Sequence, residues 1–433
     1  MAALYLLQVA LSRPLAVTGA APDDGFVRTP GIVHVHTTLS DGGGTPEEVI
    51  RAARAAGLRF LVITDHNNLD AKPVEGYRDG VLVIVGTELS TTRGHILGLG
   101  IADPGYRFSG DAQDGLQDIR DLGGFAVAAH PESPREDLRF SGWDLPGSWG
   151  VEIVNGDSEW RRAGPRLLLT AALYGINSRY ALLRSSTSPA PMLARWDALL
   201  ASRDAPGLAG ADAHSRIPLT KTRALRVPSY EALFSMQRNY ALLEAPLSGD
   251  FETDRGAVLD ALRRGRLYVG LDAQALADGF GFVVEAGAVR ATMGDAAAPS
   301  AGMKFRAGGR APEGARVVLL RDGKPVAEGA SPLEGDIPGP GVYRVEVRLE
   351  GADLPWILSN PIYVFDAATR AERARRAAWP EPEAPHAAVE VLDAFEGKTA
   401  FTLGADARSW VKPEILDRRG GADGKGAGRL QFR

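Results

Sequence analysis

The chain contains no cysteine. That excludes a disulfide framework and any thiolate metal site, and it leaves the redox compartment open. A GxSxG nucleophile elbow is missing as well, so a serine-based hydrolase has no anchor here. The run Gly42-Gly43-Gly44 lacks the lysine of a Walker loop and the strand-to-helix context of a dinucleotide fingerprint, and reads as a turn. No convincing internal repeat is present. The apolar start, MAALYLLQVAL, is too short to span a bilayer and is cut by Ser12-Arg13-Pro14. It reads either as the remainder of an export or anchor segment, which offers a membrane tether, or as a helix packed on the fold. The cell envelope is therefore the favoured location, with the cytoplasm as the alternative. A net charge of −5 and a pI near 5.9 argue against bulk nucleic-acid binding, though not against a small phosphodiester.

What the chain does have is a placement of histidines. Six of its seven histidines sit in short motifs at the ends of strand-like apolar runs. HVHTTLSDG carries His34, His36 and Asp41, and VITDHN carries His66. GTEL carries Glu88, GHILGLG His95, FAVAAHPE His130, and GLAGADAH Asp212 and His214. Only His386 lies apart. Histidine and carboxylate are the ligands of catalytic divalent metals. A lone histidine at a strand end is more often packed or capped; an ordered set is not explained that way.

The spacing of His34 and His36 puts both rings on one face of a strand. Strand-like runs alternate with helix-like ones, which predicts parallel βα units with the polar residues on the C-terminal rim of a barrel. The clearest helix is TPEEVIRAARAAGLR, with Thr45 as N-cap, Pro46 at its first position, Glu48 completing a capping box and Gly57 as the stop. A bridging carboxylate would let two cations share charge and position a hydroxide between them as the nucleophile.

Taken together and in order, HVHTTLSDG, TDHN, GTEL, GHILGLG, AAHPE and GADAH resemble the polymerase and histidinol phosphatase (PHP) superfamily of hydrolases, from about Gly31 to about Asp272. VEIVNGDSEW, PWILSNPIYV and the β-rich tail are most similar to its carbaryl-hydrolase-like branch. The resemblance implies a distorted seven-stranded (β/α) barrel holding two or three divalent ions, with zinc, manganese and iron all compatible. By motif position it implies His34, His36, Glu88 and Asp212 around a first ion. Glu88, His95 and His130 would hold a second, and Asp41, His66 and His214 a third. Glu88, Asp212 and His130 are the residues expected to carry the reaction.

Other residues near these motifs stay open. Asp65 and Asn67 flank His66 as orienters or as turn residues, and Asn155 and Asp157 fall on a common turn sequence. Arg93, Arg135 and Arg216 lie close to ligands and are candidates to clamp an anionic substrate.

The expected organisation is an apolar segment over 1–24, a metallohydrolase barrel over 25–277, a small immunoglobulin-like β-sandwich over 278–366, and a charged helix, linker and β-like stretch over 367–433. Short alternating strands and an RDGK hairpin turn carry the sandwich expectation. The expected activity is phosphoester hydrolysis of a small anionic molecule. The alternatives are carbamate or aryl ester hydrolysis and a metal-binding scaffold without turnover. The oligomeric state is open.

Overall fold

The computed structural model describes residues 2–102, 108–162, 164–220, 223–379, 411–416 and 427–432. His386 and the Pro/Glu/Ala linker lie outside them. The chain forms two compact units, Met1–Ala378 and Trp379–Arg433.

The first unit is built on a ring of strands: β1 (Val27–Val35), β2 (Phe60–Ile63), β3 (Gly76–Arg78), β4 (Val81–Val85), β5 (Thr87–Thr91), β6 (Gly94–Leu99), β7 (Phe125–Ala128), β8 (Trp149–Asn155) and β9 (Gly207–Ala213). β1 pairs in parallel with β2 and β9, β2 with β4, and β8 with β7 and β9. β3 forms a hairpin with β4. Gly86 alone separates β4 from β5, and a bridge between His66 and Glu88 carries the ring on. The apolar runs of β2 and β4 are buried throughout, as strands covered on both faces must be.

One expectation gives way here. β5, β6 and β7 pair antiparallel instead of forming parallel βα units. Only Thr92 and Arg93 link β5 to β6, which suffices for a hairpin but not for a crossover.

Helices α1 (Ala2–Leu11), α2 (Pro46–Ala55), α3 (Ala112–Asp121), α4 (Gly156–Arg162), α5 (Arg166–Tyr174), α6 (Ser178–Ser185) and α7 (Ala190–Leu200) precede β9. α2 forms as its sequence predicts: Thr45 Oγ1 accepts from the Glu48 amide, Glu48 returns the bond, and Gly57 takes a φ of +72° beyond the last turn. After β9 come a short pair, β10 (Ile217–Pro218) and β11 (Ala224–Leu225), then α8 (Tyr230–Phe234), β12 (Arg238–Leu243), α9 (Phe251–Arg264) and β13 (Leu267–Gly270). The core of this region is apolar, around Val33, Phe60, Val62, Leu82, Ile84, Leu97 and Val127.

The β-rich part begins with β14 (Phe280–Ala286), β15 (Val289–Thr292), β16 (Ala296–Ala297), β17 (Lys304–Gly309), β18 (Arg316–Arg321), β19 (Lys324–Ala330) and β20 (Leu333–Asp336). It ends with β21 (Gly341–Arg348), β22 (Ile357–Ser359), β23 (Ile362–Val364) and α10 (Ala367–Ala377). β15, β14, β17 and β20 form a separate small antiparallel sheet. The remainder is joined to the first region, because β12 pairs with β1 and β13, and β13 pairs with β22. Main-chain hydrogen bonds thus cross the boundary expected near residue 277. A second core of Tyr240, Tyr268, Phe280, Phe282 and Trp356 spans the same junction. The RDGK turn forms as expected, with Asp322 and Gly323 both at positive φ between β18 and β19. Among its described residues the second unit forms a hairpin of β24 (Val411–Leu416) with β25 (Ala427–Phe432).

Candidate metal centre

All nine predicted ligands come together at one end of the ring. His34 interrupts the pairing of β1 with β9, and its φ of +68° turns its side chain out of the strand's alternation. His130 and Asp212 are also at positive φ, +30° and +49°. Non-glycine residues in that region are strained, and such strain persists only where the surroundings over-determine it. These same three side chains form one compact ligand group.

Glu88 is the centre. Its Oε1 lies 2.7 Å from His95 Nδ1 and 2.8 Å from His130 Nε2. Its Oε2 lies 3.1 Å from His34 Nε2, 3.0 Å from His36 Nε2 and 3.2 Å from His66 Nδ1. Asp212 Oδ1 lies 3.4 Å from His34 Nε2 and 3.5 Å from His36 Nε2. On the other side, Asp41 Oδ1 is 3.1 Å from His214 Nε2 and 3.7 Å from both His66 Nε2 and His36 Nδ1. The compact groups are His36, Asp41, His66 and His214; His34, His36 and Glu88; and His66, Glu88 and His95, besides the one named above.

Several atoms here are buried with no hydrogen-bond partner: His34 Nε2, His36 Nε2, His66 Nδ1, His130 Nδ1, Glu88 Oε2 and Asp41 Oδ1. Buried polar atoms are rarely left so, and an orphaned cluster of this donor chemistry fits divalent cations. Without cations the rings and carboxylates shift one another. Burial opposes charge on His34, but Glu152, Glu88 and Asp212 outweigh it and raise its pKa well above the usual value. Burial opposes charge on His36 too, yet Asp212 and Glu88 push it up to about 10. Glu88 and Asp212 are held far below the carboxylate range by the surrounding imidazoles, against the effect of burial. His66 goes the other way: burial lowers it to about 4, and the pull of Glu88 does not compensate.

Three positioning residues escaped the sequence reading. Glu152 Oε1 accepts from His34 Nδ1 at 2.6 Å, and its Oε2 accepts from the His130 amide at 2.7 Å and from Asn155 Nδ2 at 2.8 Å. That fixes the His34 ring with Nε2 turned to the centre. A Cβ on Gly210 would sit 1.8 Å from Glu152 Oε1, so only glycine leaves room for this carboxylate. The signal was a charged residue inside the apolar run of VEIVNGD. Tyr230 Oη shares its hydrogen between the His36 and His214 carbonyls, at 2.8 and 3.1 Å. Arg161 pairs with Asp157 and feels the charges of Asp212 and Asp41.

The open flanking residues now have partners. Asp65 orders the loop after His36, accepting from the Thr37 amide and hydroxyl and from Ser40 Oγ. Asn67 ties the His66 turn to Ser90. Asn155 accepts from the Ser158 amide in α4. Burial and Asp212 together raise the pKa of Asp157. Gly42 and Gly43 are needed because a Cβ would meet the His36 and Ser215 carbonyl oxygens at 2.4 and 2.3 Å. Among the rim arginines, Arg93 is engaged by Asp144 and by the Ser141 carbonyl. Arg135 lies 3.9 Å from Asp157. Arg216 donates to the Asp41 carbonyl at 3.3 Å.

Residues 33–115, which include the first six of these ligands, match the PHP domain. An uncharacterized protein of Methanocaldococcus jannaschii is 30% identical over 117 residues, which span 24% of this chain and 67% of that one. The chain belongs to the PHP superfamily. A phosphoribosyl 1,2-cyclic phosphate 1,2-diphosphodiesterase of Eggerthella lenta is 41% identical over 80 residues, 16% of this PHP chain and 30% of its own length. Among solved structures, a two-domain protein of Bacteroides vulgatus containing a predicted PHP-like metal-dependent phosphoesterase covers 81% of this chain and 98% of its own, at 12% identity and a TM-score of 0.37.

Proposed function

We propose that this PHP chain is a metal-dependent hydrolase acting on phosphoesters of small molecules. One observation carries the reading: the two oxygens of Glu88 face two separate sets of imidazoles, and Oε2 is buried and unpartnered together with the His34, His36 and His66 nitrogens that face it. His34, His36, Glu88 and Asp212 would hold one cation, Glu88, His95 and His130 a second, and Asp41, His66 and His214 a third. Histidine and carboxylate ligation leaves zinc, manganese and iron as candidates. When bound, the cations would supply Lewis acidity at the scissile ester and lower the pKa of water.

The protein's own groups do the positioning. Glu152 fixes the tautomer of His34, and Asp65 holds the loop that carries Asp41. Asp157, an acid outside the ligand set, sits on the same rim paired with Arg161. Arg161 beside it can meet the anionic substrate, with Arg135 and Arg216 further along the rim.

Carbamate hydrolysis, in line with the carbaryl-hydrolase-like resemblance, would need an open aryl pocket. Trp143 and Trp149 instead pack edge-to-face against Phe140 and are covered by Arg195 and Arg203, which favours the phosphoester. The test is metal analysis followed by a panel of para-nitrophenyl phosphate, phosphodiester and carbamate on metal-reconstituted protein. Chelation should abolish turnover and metal restore it. Full activity in verified metal-free protein, or carbamate cleaved in preference to both phosphoesters, would overturn the reading.

A further inference from the structure

The helices flanking the metal-centre rim leave an unusual surface. α1 is apolar but for Gln8, yet among its residues whose burial is described Val9 alone is buried, packed on Leu173 and Ala181 of α5 and α6. Asn177 anchors α1 by donating to the carbonyls of Val9 and Ser12, and Arg179 donates to Ser12 Oγ. Helical periodicity puts Leu4, Leu7 and Leu11 on one stripe, opposite Val9. They are 68%, 54% and 64% exposed. α5 repeats the arrangement: Thr170 and Leu173 face inward, while Leu168 points the other way, 81% exposed.

The segments that carry these leucines are basic. No acidic residue occurs before Asp23 or between Glu159 and Asp197, whereas the second stretch holds six arginines. Arg13, Arg166 and Arg184 are exposed and, among the described residues, have no carboxylate partner. Unpaired arginines beside exposed leucines are complementary to an anionic lipid surface, where apolar side chains enter the interface and guanidinium groups meet phosphates. A second copy of the chain docked face to face would bring like charges together with no carboxylate on α1, α5 or α6 to pair them. No helix among the described residues is long and apolar enough to cross a membrane.

We propose that the outward faces of α1 and α5 form a peripheral docking surface for an anionic bilayer, with α1 lying in the interface. The α4–α6 insertion follows β8 directly on the metal-centre rim, so docking would bring that rim close to the lipid headgroups.

The experiment is cosedimentation of the full chain with phosphatidylcholine vesicles, with and without phosphatidylglycerol. Binding should require the anionic lipid and weaken at least tenfold in about 0.5 M salt. Leu7→Asp with Leu168→Asp should reduce it at least tenfold. Arg166→Gln and Arg184→Gln should each reduce it about fivefold. Retained metal stoichiometry serves as the check that each variant is folded, and the arginine pair decides the matter if the leucine variant does not fold. No sedimentation with phosphatidylglycerol vesicles, equal binding to neutral vesicles, or a dimer in sedimentation velocity that Leu168→Asp dissolves would each overturn the proposal.

Discussion

The two sides of the metal centre are built on opposite principles. On the Glu88 side, the side chains of His34, His36, Glu88, His130 and Asp212 are at most 5% exposed, and the charges of buried imidazoles and carboxylates are locked together. On the Asp41 side, Asp41 is 48%, His66 24% and His214 17% exposed. Burial raises the electrostatic stake of every group, since an unpaired charge in a low dielectric is costly. The buried side therefore has to be filled, by protons or by cations. The open side faces water and can fill or empty with less consequence.

The largest expected break in this contrast is Glu88→Gln. It removes the charge shared by five imidazole contacts, so cations should be lost from both sites that use it and activity should fall by more than about a thousandfold. In metal-free protein the variant should also unfold about 3 kcal/mol more easily, because buried imidazolium groups lose their partner. Metal analysis and denaturant titration check both; retained stoichiometry at full occupancy would contradict the central role.

Glu152→Gln should come next, with a loss of about ten- to a hundredfold in metal affinity on the buried side. It touches no predicted cation directly, so only the orientation of His34 is at stake. Isothermal titration on wild type and variant gives the ratio, and Gly210→Ala should mimic it by displacing the same carboxylate.

Acidity separates the two sides without mutation. The metal-free protein keeps a proton on His36 up to about pH 10, and burial gives His66 up already near 4. A cation must displace the first proton but not the second at neutral pH. Affinity on the buried side should therefore rise about tenfold per pH unit for each displaced proton as pH increases toward 10, with measurable proton release. His66 should contribute no such slope above pH 5. Buffer-dependent calorimetry reads the proton count directly, and a count of zero at pH 7 would remove the distinction.

His214→Ala should empty only the open site, leaving the buried ions visible by anomalous scattering; loss of all ions from a folded variant would show that the sides are not separable. The smallest effect belongs to Arg161→Gln, which should raise KM for a phosphoester about tenfold with kcat little changed. An equal fall in kcat would place Arg161 in the reaction itself.

Much of the centre was legible because its ligands are chemically rare residues at strand ends. HVH stood out by its residue types alone, although the positive φ of His34 breaks the simple alternation its spacing suggested, and the Thr45–Glu48 cap needs only local hydrogen bonds. Arg93 shows the limit: closeness in sequence to His95 marked it as a rim cation, yet Asp144, far along the chain, takes its guanidinium. Glu152 was hidden for the same reason. Nothing in its neighbourhood reveals that the ring of strands will lay it against His34.

Four features were readable from local sequence: the candidate ligand set, the β1–α2–β2 unit, the cap of α2 and the Asp322-Gly323 hairpin. Each depends on interactions within a few residues, or on a side-chain chemistry that has few other uses. Folding in three dimensions was needed to set the antiparallel course of β5–β7, the continuity of β13 with β22, and the positive φ of His34, His130 and Asp212. It also decided which oxygen of Glu88 meets which ring. These depend on pairings between distant strands, where closing the ring fixes register and burial, and burial then sets which charges must be compensated.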